Sequence, residues 1–163
     1  MLDRNGPLRG LRVVEMAGLG PAPFCAMMLA DMGAEVVRIA RPNQKPLFGL
    51  EQKHNLYDRS RRSLTLDLRD PKGLAQAKTL ISKSEVLIEG FRPDVMERLG
   101  LGPDDVTPDN PKLVYGRMTG WGQDGPLRDR AGHDLNYMAI SGALWSIGPE
   151  GSPPPPPQNI IAD

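Results

Sequence analysis

The chain begins its folded pattern with a short apolar, β-branched run at residues 11–16 that breaks at Ala17-Gly18-Leu19-Gly20-Pro21, as a strand running into a turn does. Residues 22–32 then place Ala, Phe, Met and Leu at helical spacing. Pro23 falls in the first turn, where a missing N–H costs nothing, and Gly33 stands just past the end. Residues 35–39 read as a second strand. Strand, helix and strand within about thirty residues make a βαβ unit, with parallel strands and a right-handed crossover.

Residues 41–62 are polar, contain Pro42 and Pro46 and show no period, so they read as a long surface connection of the kind that contacts ligand. A strand at 63–68, a helix at 71–84 begun by Asp70-Pro71 and a strand at 85–89 repeat the βαβ pattern. A short helix at 95–99, a fifth strand at 112–118 and an apolar helix at 134–145 opening at His133 follow. The pattern predicts an α/β fold, a Rossmann-like parallel sheet with flanking helices, over residues 1–147. In segment 148–163, five consecutive prolines at 153–157 set an extended spacer, and a short apolar piece at 159–162 delivers Asp163. A chain ending on such a step reads as the first part of a longer one.

Charge narrows the function. Twenty basic and twenty acidic residues balance to zero, so no global field favours nucleic acid or membrane, and an anion site has to come from local clusters. One Cys and two scattered His exclude an internal disulfide and make a zinc site of ordinary spacing improbable, so no metal is expected. No apolar run approaches a membrane span and residues 1–10 lack the apolar centre of a signal peptide, which points to a cytoplasmic protein.

Gly18-Leu19-Gly20 resembles part of a dinucleotide fingerprint, but the third glycine is missing. Arg38 and Arg41 stand at the end of the second strand, where an acid would hold a ribose diol. A guanidinium there suits a ribose phosphate such as the 3′-phosphate of coenzyme A; a solvated edge charge is the plainer alternative. Arg59, Arg61 and Arg62, with Lys45 and Lys53 in the same connection, offer a phosphate rim, against the alternative of a charged, soluble loop. Arg92 follows the fourth strand at its carboxyl end, where open parallel sheets bind ligands. Gly132-His133-Asp134 and Asp163 place a His and a carboxylate on separate segments, the parts needed to move a proton across a carbon centre. A lone His is more often structural, and His54 and Cys25 are read that way.

The matches extend beyond single residues. Asp31-Met32-Gly33-Ala34-Glu35-Val36-Val37-Arg38-Ile39, Leu64-Thr65-Leu66-Asp67-Leu68, Glu89-Gly90-Phe91-Arg92-Pro93 and Gly120-Trp121-Gly122-Gln123-Asp124-Gly125-Pro126 resemble blocks of the family III CoA-transferases. Ala131-Gly132-His133-Asp134-Leu135-Asn136-Tyr137 resembles the racemase branch, the α-methylacyl-CoA racemases; transferases generally lack that His. The resemblance covers nearly the whole chain but only the N-terminal part of the family fold, with the second domain missing.

It implies 1,1-proton transfer at the α-carbon of a 2-methylacyl-CoA through an enolate, with no cofactor beyond the CoA that the substrate carries. His133 matches the base for the S epimer, Asp163 the base for the R epimer, and the backbone N–H of Asp134 the donor to the enolate oxygen. Arg38, Arg59, Arg61, Arg62 and Arg92 fall where the family holds CoA. The resemblance also implies an interlocked homodimer whose site draws on both subunits. Two alternatives stand beside racemisation: CoA transfer with Asp163 as nucleophile, and a fragment that only binds CoA esters. The chain departs from the family at Ser60 and Asp94, where Gly is common, and in its long proline run.

Overall fold

The computed structural model describes residues 5–44, 55–158 and 160–162. Two compact units make up the chain, Met1–Met118 and Thr119–Asp163. The first holds five parallel strands, β1 (Arg12–Met16), β2 (Glu35–Ala40), β3 (Arg62–Thr65), β4 (Val86–Glu89) and β5 (Val114–Arg117), in the order β3-β2-β1-β4-β5. The Rossmann-like parallel sheet expected from the pattern is present.

Both faces of a parallel sheet need cover, and the alternation along β1 shows how each is covered. Val13 packs with Val36, Ile88 and the small residues Ala22, Ala26 and Ala30 of helix α1 (Pro21–Asp31). Alanines four apart form one smooth stripe, so α1 can lie close to the sheet. Val14 and Met16 face the other way, with Leu87, Ala77 and Ile81 of α2 (Pro71–Ser82), Met96 of α3 (Val95–Arg98) and Val106 of α4 (Pro103–Val106). The strand order reverses between β1 and β4, and the loops leaving their carboxyl ends flank the crevice where such sheets take ligands.

Several element ends differ from the pattern's prediction. The third strand stops at Thr65 instead of residue 68 because Asp67 starts a turn, its carboxylate accepting the N–H of Arg69 at 3.0 Å. The helix begun at Asp70-Pro71 stops at Ser82, where side chains take over its last carbonyls: Asn110 donates to Ile81 O at 3.1 Å and the Ser84 hydroxyl to Leu80 O at 2.8 Å. The connection 41–62 contains a 3₁₀ turn, Leu56–Asp58, begun by Asn55, whose side chain accepts the Tyr57 N–H at 3.2 Å. Helix α4 has no counterpart in the predicted elements. The last helix, α5 (Asp134–Ser141), ends early because Gly142 takes φ 81°, and a separate 3₁₀ turn, Ala143–Ser146, follows. Among the described residues no helix is long and apolar enough to cross a membrane.

The start of α2 presses on the Asp67 turn at Gly73, where an added Cβ would lie 2.1 Å from the Asp67 carbonyl oxygen. Gly73→Ala gains up to about 1 kcal/mol of helix propensity but forces backbone apart, which costs roughly 1–3 kcal/mol. A net loss of about 1–2 kcal/mol is expected. Urea unfolding measures it as a lower midpoint at unchanged slope; an unchanged midpoint would show that the turn yields freely.

Candidate functional site

The arginines proposed for CoA separate into groups once side chains are placed. Glu15 sits on the central strand in register with Arg38 of β2, and its side chain is fully buried. A carboxylate there demands partners, since an isolated buried charge is costly. Arg61, one residue before β3, turns inward until its side chain is only 2% exposed. It donates to Glu15 Oε2 and Pro23 O and, through Nη2, to Asp58 Oδ1 at 3.2 Å. Arg38 meets the same Asp58 oxygen at 3.7 Å. Two guanidinium groups and two carboxylates thus close on one another. Burial pushes the Glu15 carboxyl up to about 7, outweighing the pull of Arg61 in the opposite direction.

Arg59 lies outside this cluster. It grips Asp31 at the end of α1, with Nη2 2.6 Å from Oδ2, and reaches Leu56 O at 3.1 Å. Arg62 is exposed at the first position of β3. Lys45, Lys53 and His54 lie outside the described residues.

Arg92 is exposed in the loop that leaves β4. That loop is shaped from beneath by Glu89, which is 1% exposed and accepts the N–H of Phe91 at 2.7 Å and Nε of Arg117 at 3.2 Å. Arg117 also pairs with Glu97 at 2.8 Å. Burial raises the Glu89 carboxyl, against the lowering effect of these donors. Both departures from family glycine have a conformational meaning: Ser60 and Asp94 stand at φ 59° and 65°, the left-handed region that glycine enters without strain.

The second unit is described by itself. His133 precedes α5 in extended conformation, φ −142°, and its backbone N–H donates to Asn136 Oδ1 at 3.0 Å. Asp134 is the first helical residue, so its own N–H belongs to the group that has no carbonyl partner within the helix. Trp121 and Tyr137 meet edge to face at 5.0 Å, and the Tyr137 hydroxyl donates to Gly132 O at 2.5 Å. Gly132 lies directly against both rings; a Cβ there would come within 2.7 Å of Tyr137 and 2.8 Å of Trp121. The Asp134 carboxylate turns to a distant segment, where Oδ1 accepts the N–H groups of Ile161 at 2.9 Å and Ala162 at 2.6 Å. Asp163, the next residue, lies outside the described residues.

The structure therefore brings Arg38 and Arg61 together at Asp58, holds Arg59 on Asp31, and links the His133-Asp134 segment to residues 161–162. Sequence reasoning missed Glu15, Asp31, Asp58 and Glu89, which hold three of the arginines and shape the loop of a fourth. An acid inside an apolar strand run, as in Arg12-Val13-Val14-Glu15-Met16, was the available signal.

An all-parallel sheet with a strand-order reversal at its centre and helices on both faces defines a Rossmann-like α/β protein. The chain belongs to CoA-transferase family III, whose family model matches residues 8–163. It is 49% identical over 156 residues to an α-methylacyl-CoA racemase of Mus musculus, covering 96% of this chain and 39% of that protein. It is 32% identical to a succinyl-CoA:glutarate CoA-transferase of Homo sapiens, over 96% of this chain and 38% of the relative. A crystal structure of a CAIB/BAIF family protein from Brucella suis superposes with a TM-score of 0.83 at 28% identity, covering 96% of this chain and 44% of that one. The chain thus spans well under half the length of these relatives.

Proposed function

We propose that the protein is an α-methylacyl-CoA racemase, interconverting the epimers of 2-methylacyl-CoA thioesters, with the chain described here supplying the CoA-binding sheet and the proton-transfer segments. The observation that carries this reading is the link between those segments: Asp134 stands beside His133 and its carboxylate holds Ile161 and Ala162, the two residues before Asp163. The 49% identity to the mouse racemase, which spans the segment with His133, supports racemisation over transfer.

In this mechanism one base takes the α-proton, the C–H electron pair moves into the thioester, and a planar enolate forms. The conjugate acid of the other base returns a proton to the opposite face, so the reaction is redox-neutral and consumes nothing. His133 acts on the S epimer and Asp163 on the R epimer. The backbone N–H of Asp134 donates to the enolate oxygen, where charge develops. Arg38, Arg59, Arg61, Arg62 and Arg92 serve the CoA moiety; Arg61 does so from within its ion pair, by fixing Asp58 and hence Arg38, while Arg59, Arg62 and Arg92 are the exposed members.

The test is loss of α-hydrogen to solvent from each epimer of a 2-methylacyl-CoA, run beside an exchange assay with a free carboxylic acid and an acyl-CoA. Hydrogen loss from both epimers without acyl exchange is expected. Acyl exchange without hydrogen loss would instead make Asp163 the nucleophile of a transferase.

A further inference from the structure

Arg117 closes β5 directly opposite Glu89 of β4, and its guanidinium pairs with more than that neighbour. Nε donates to Glu89 Oε1 at 3.2 Å, while Nη2 reaches Glu97 Oε1 of α3 at 2.8 Å. The other Glu89 oxygen, Oε2, accepts the N–H of Phe91 at 2.7 Å. Glu89 stands immediately before the loop 90–94, and Glu97 lies in the helix immediately after it. One planar guanidinium therefore ties the two ends of that loop together, which its fixed fork of donors allows and a single ammonium does not. Arg117 itself rests over the ring of Tyr115, whose centroid lies 5.8 Å from the guanidinium carbon and whose hydroxyl donates to Leu101 O at 2.8 Å.

The loop between those ends is sharply bent. The Val95 N–H donates to Arg92 O at 3.2 Å, which closes a turn over residues 92–95. Pro93 and Asp94, the latter at φ 65°, occupy the places that a type II turn gives to proline and to a residue of positive φ. Gly90 lies against the start of α1, where an added Cβ would come 3.1 Å from the Ala22 Cβ. The turn thus leaves β4 beside α1, at the reversal of strand order, and carries Arg92 at its first position.

Buried ion pairs are a poor source of stability, since apolar residues of the same volume often serve a core as well. What the bridge from Glu89 through Arg117 to Glu97 supplies is position. A guanidinium meets a phosphate through paired bonds of narrow geometry, so what it contributes to affinity depends on how firmly its backbone is held beforehand.

We infer that Arg117 is a positioning residue for the CoA site: with Glu89 and Glu97 it clamps the turn 92–95 and so fixes the backbone from which Arg92 meets a phosphate of coenzyme A. The inference rests on the reading of Arg92 as a CoA contact and deepens it. It holds for racemisation and for transfer alike, because both reactions need the CoA ester bound. Arg117 acts through Arg92.

Calorimetric titration of free coenzyme A into the whole protein tests the clamp. Arg117→Lys keeps a cation beside the buried Glu89, which preserves the fold, but it cannot span both carboxylates. It is expected to weaken CoA binding about tenfold, and Arg92→Ala by at least about as much. In the double variant Arg117→Lys should add less than about twofold to the loss from Arg92→Ala, because a turn without its guanidinium gains nothing from being held. Glu97 is exposed, so Glu97→Ala frees the α3 end of the bridge with little effect on the core; it should weaken binding about threefold in the parent and leave Arg92→Ala unchanged.

Losses that simply multiply would overturn the clamp while leaving Arg92 as a CoA contact. So would an Arg117→Lys variant that binds CoA like the parent and merely unfolds at lower urea, the result a purely structural role gives. Parental CoA affinity in Arg92→Ala would overturn both the contact and the clamp that serves it. Loss of α-hydrogen tests the racemase reading alone, so the two fail separately.

Discussion

Replacing His133 by Ala lowers the rate of α-hydrogen loss from the S epimer by roughly 10²–10⁴-fold, the contribution of a well-placed general base. The fold should survive the change. His133 is exposed, and its backbone takes part in starting α5 through the N–H bonded to Asn136 and the carbonyl that accepts the Asn136 N–H at 2.7 Å. Neither group is lost in the variant. On the proposed mechanism hydrogen loss from the R epimer begins at Asp163 and should continue, while its product no longer inverts, because the acid for the opposite face is gone. CoA affinity should stay close to the parent's, since the arginines proposed to bind CoA belong to the unit Met1–Met118. A variant with parental S-epimer rates would remove His133 from the chemistry and favour transfer, which does not require it.

The second large effect lies under the arginine cluster. Arg61→Met is expected to destabilise the first unit by about 3–5 kcal/mol at pH 8, because it leaves the Glu15 carboxylate buried without its partner. The loss depends on pH in a definite direction. Burial raises the Glu15 carboxyl from its ordinary 4.5 to about 7, so between those values the folded protein holds a proton that the unfolded chain has released. Folding stability from this group is therefore complete below pH 4.5 and declines as pH rises through about 7. At pH 5 Glu15 is neutral in the variant, and the loss should shrink to the packing and hydrogen-bonding terms of Arg61. Glu15→Gln combined with Arg61→Met should recover much of the loss at pH 8, since no charge is then stranded. Urea unfolding at the two pH values measures all of this; a loss independent of pH would show that Glu15 carries no charge in the fold. Because Asp58 bridges Arg61 and Arg38, the same variant should weaken CoA binding without changing Arg38 itself.

The large features of the fold were legible because they depend on local pattern. Val13 and Val14 look to opposite faces whatever the strand's neighbours, and Ala22, Ala26 and Ala30 recur at the helical period. Element ends were less legible. The end of α2 depends on Asn110 reaching back across 29 and 26 residues to carbonyls at Ile81 and Ser84, which no local pattern contains. The short α4 escaped notice because four residues are too few to show a period, although Pro103 after Gly102 is an ordinary helix start.

The candidate site divides in the same way. Sequence alone singled out His133, Asp134, Asp163 and the arginines, because each stands in a local context, a glycine turn or a strand end, that chemistry can interpret. It gave no account of what holds them. Arg61 read as a surface cation and is among the most buried charges in the structure, since the partner that draws it inward, Glu15, is 46 residues away. The sequence pointed only to the backbone N–H of Asp134, whereas its side chain grips residues 161–162. Residue type and short-range spacing determine which groups are able to carry charge or a proton. Which of them meet is decided by contacts between segments far apart in the chain, and those exist only once the sheet and its loops have closed.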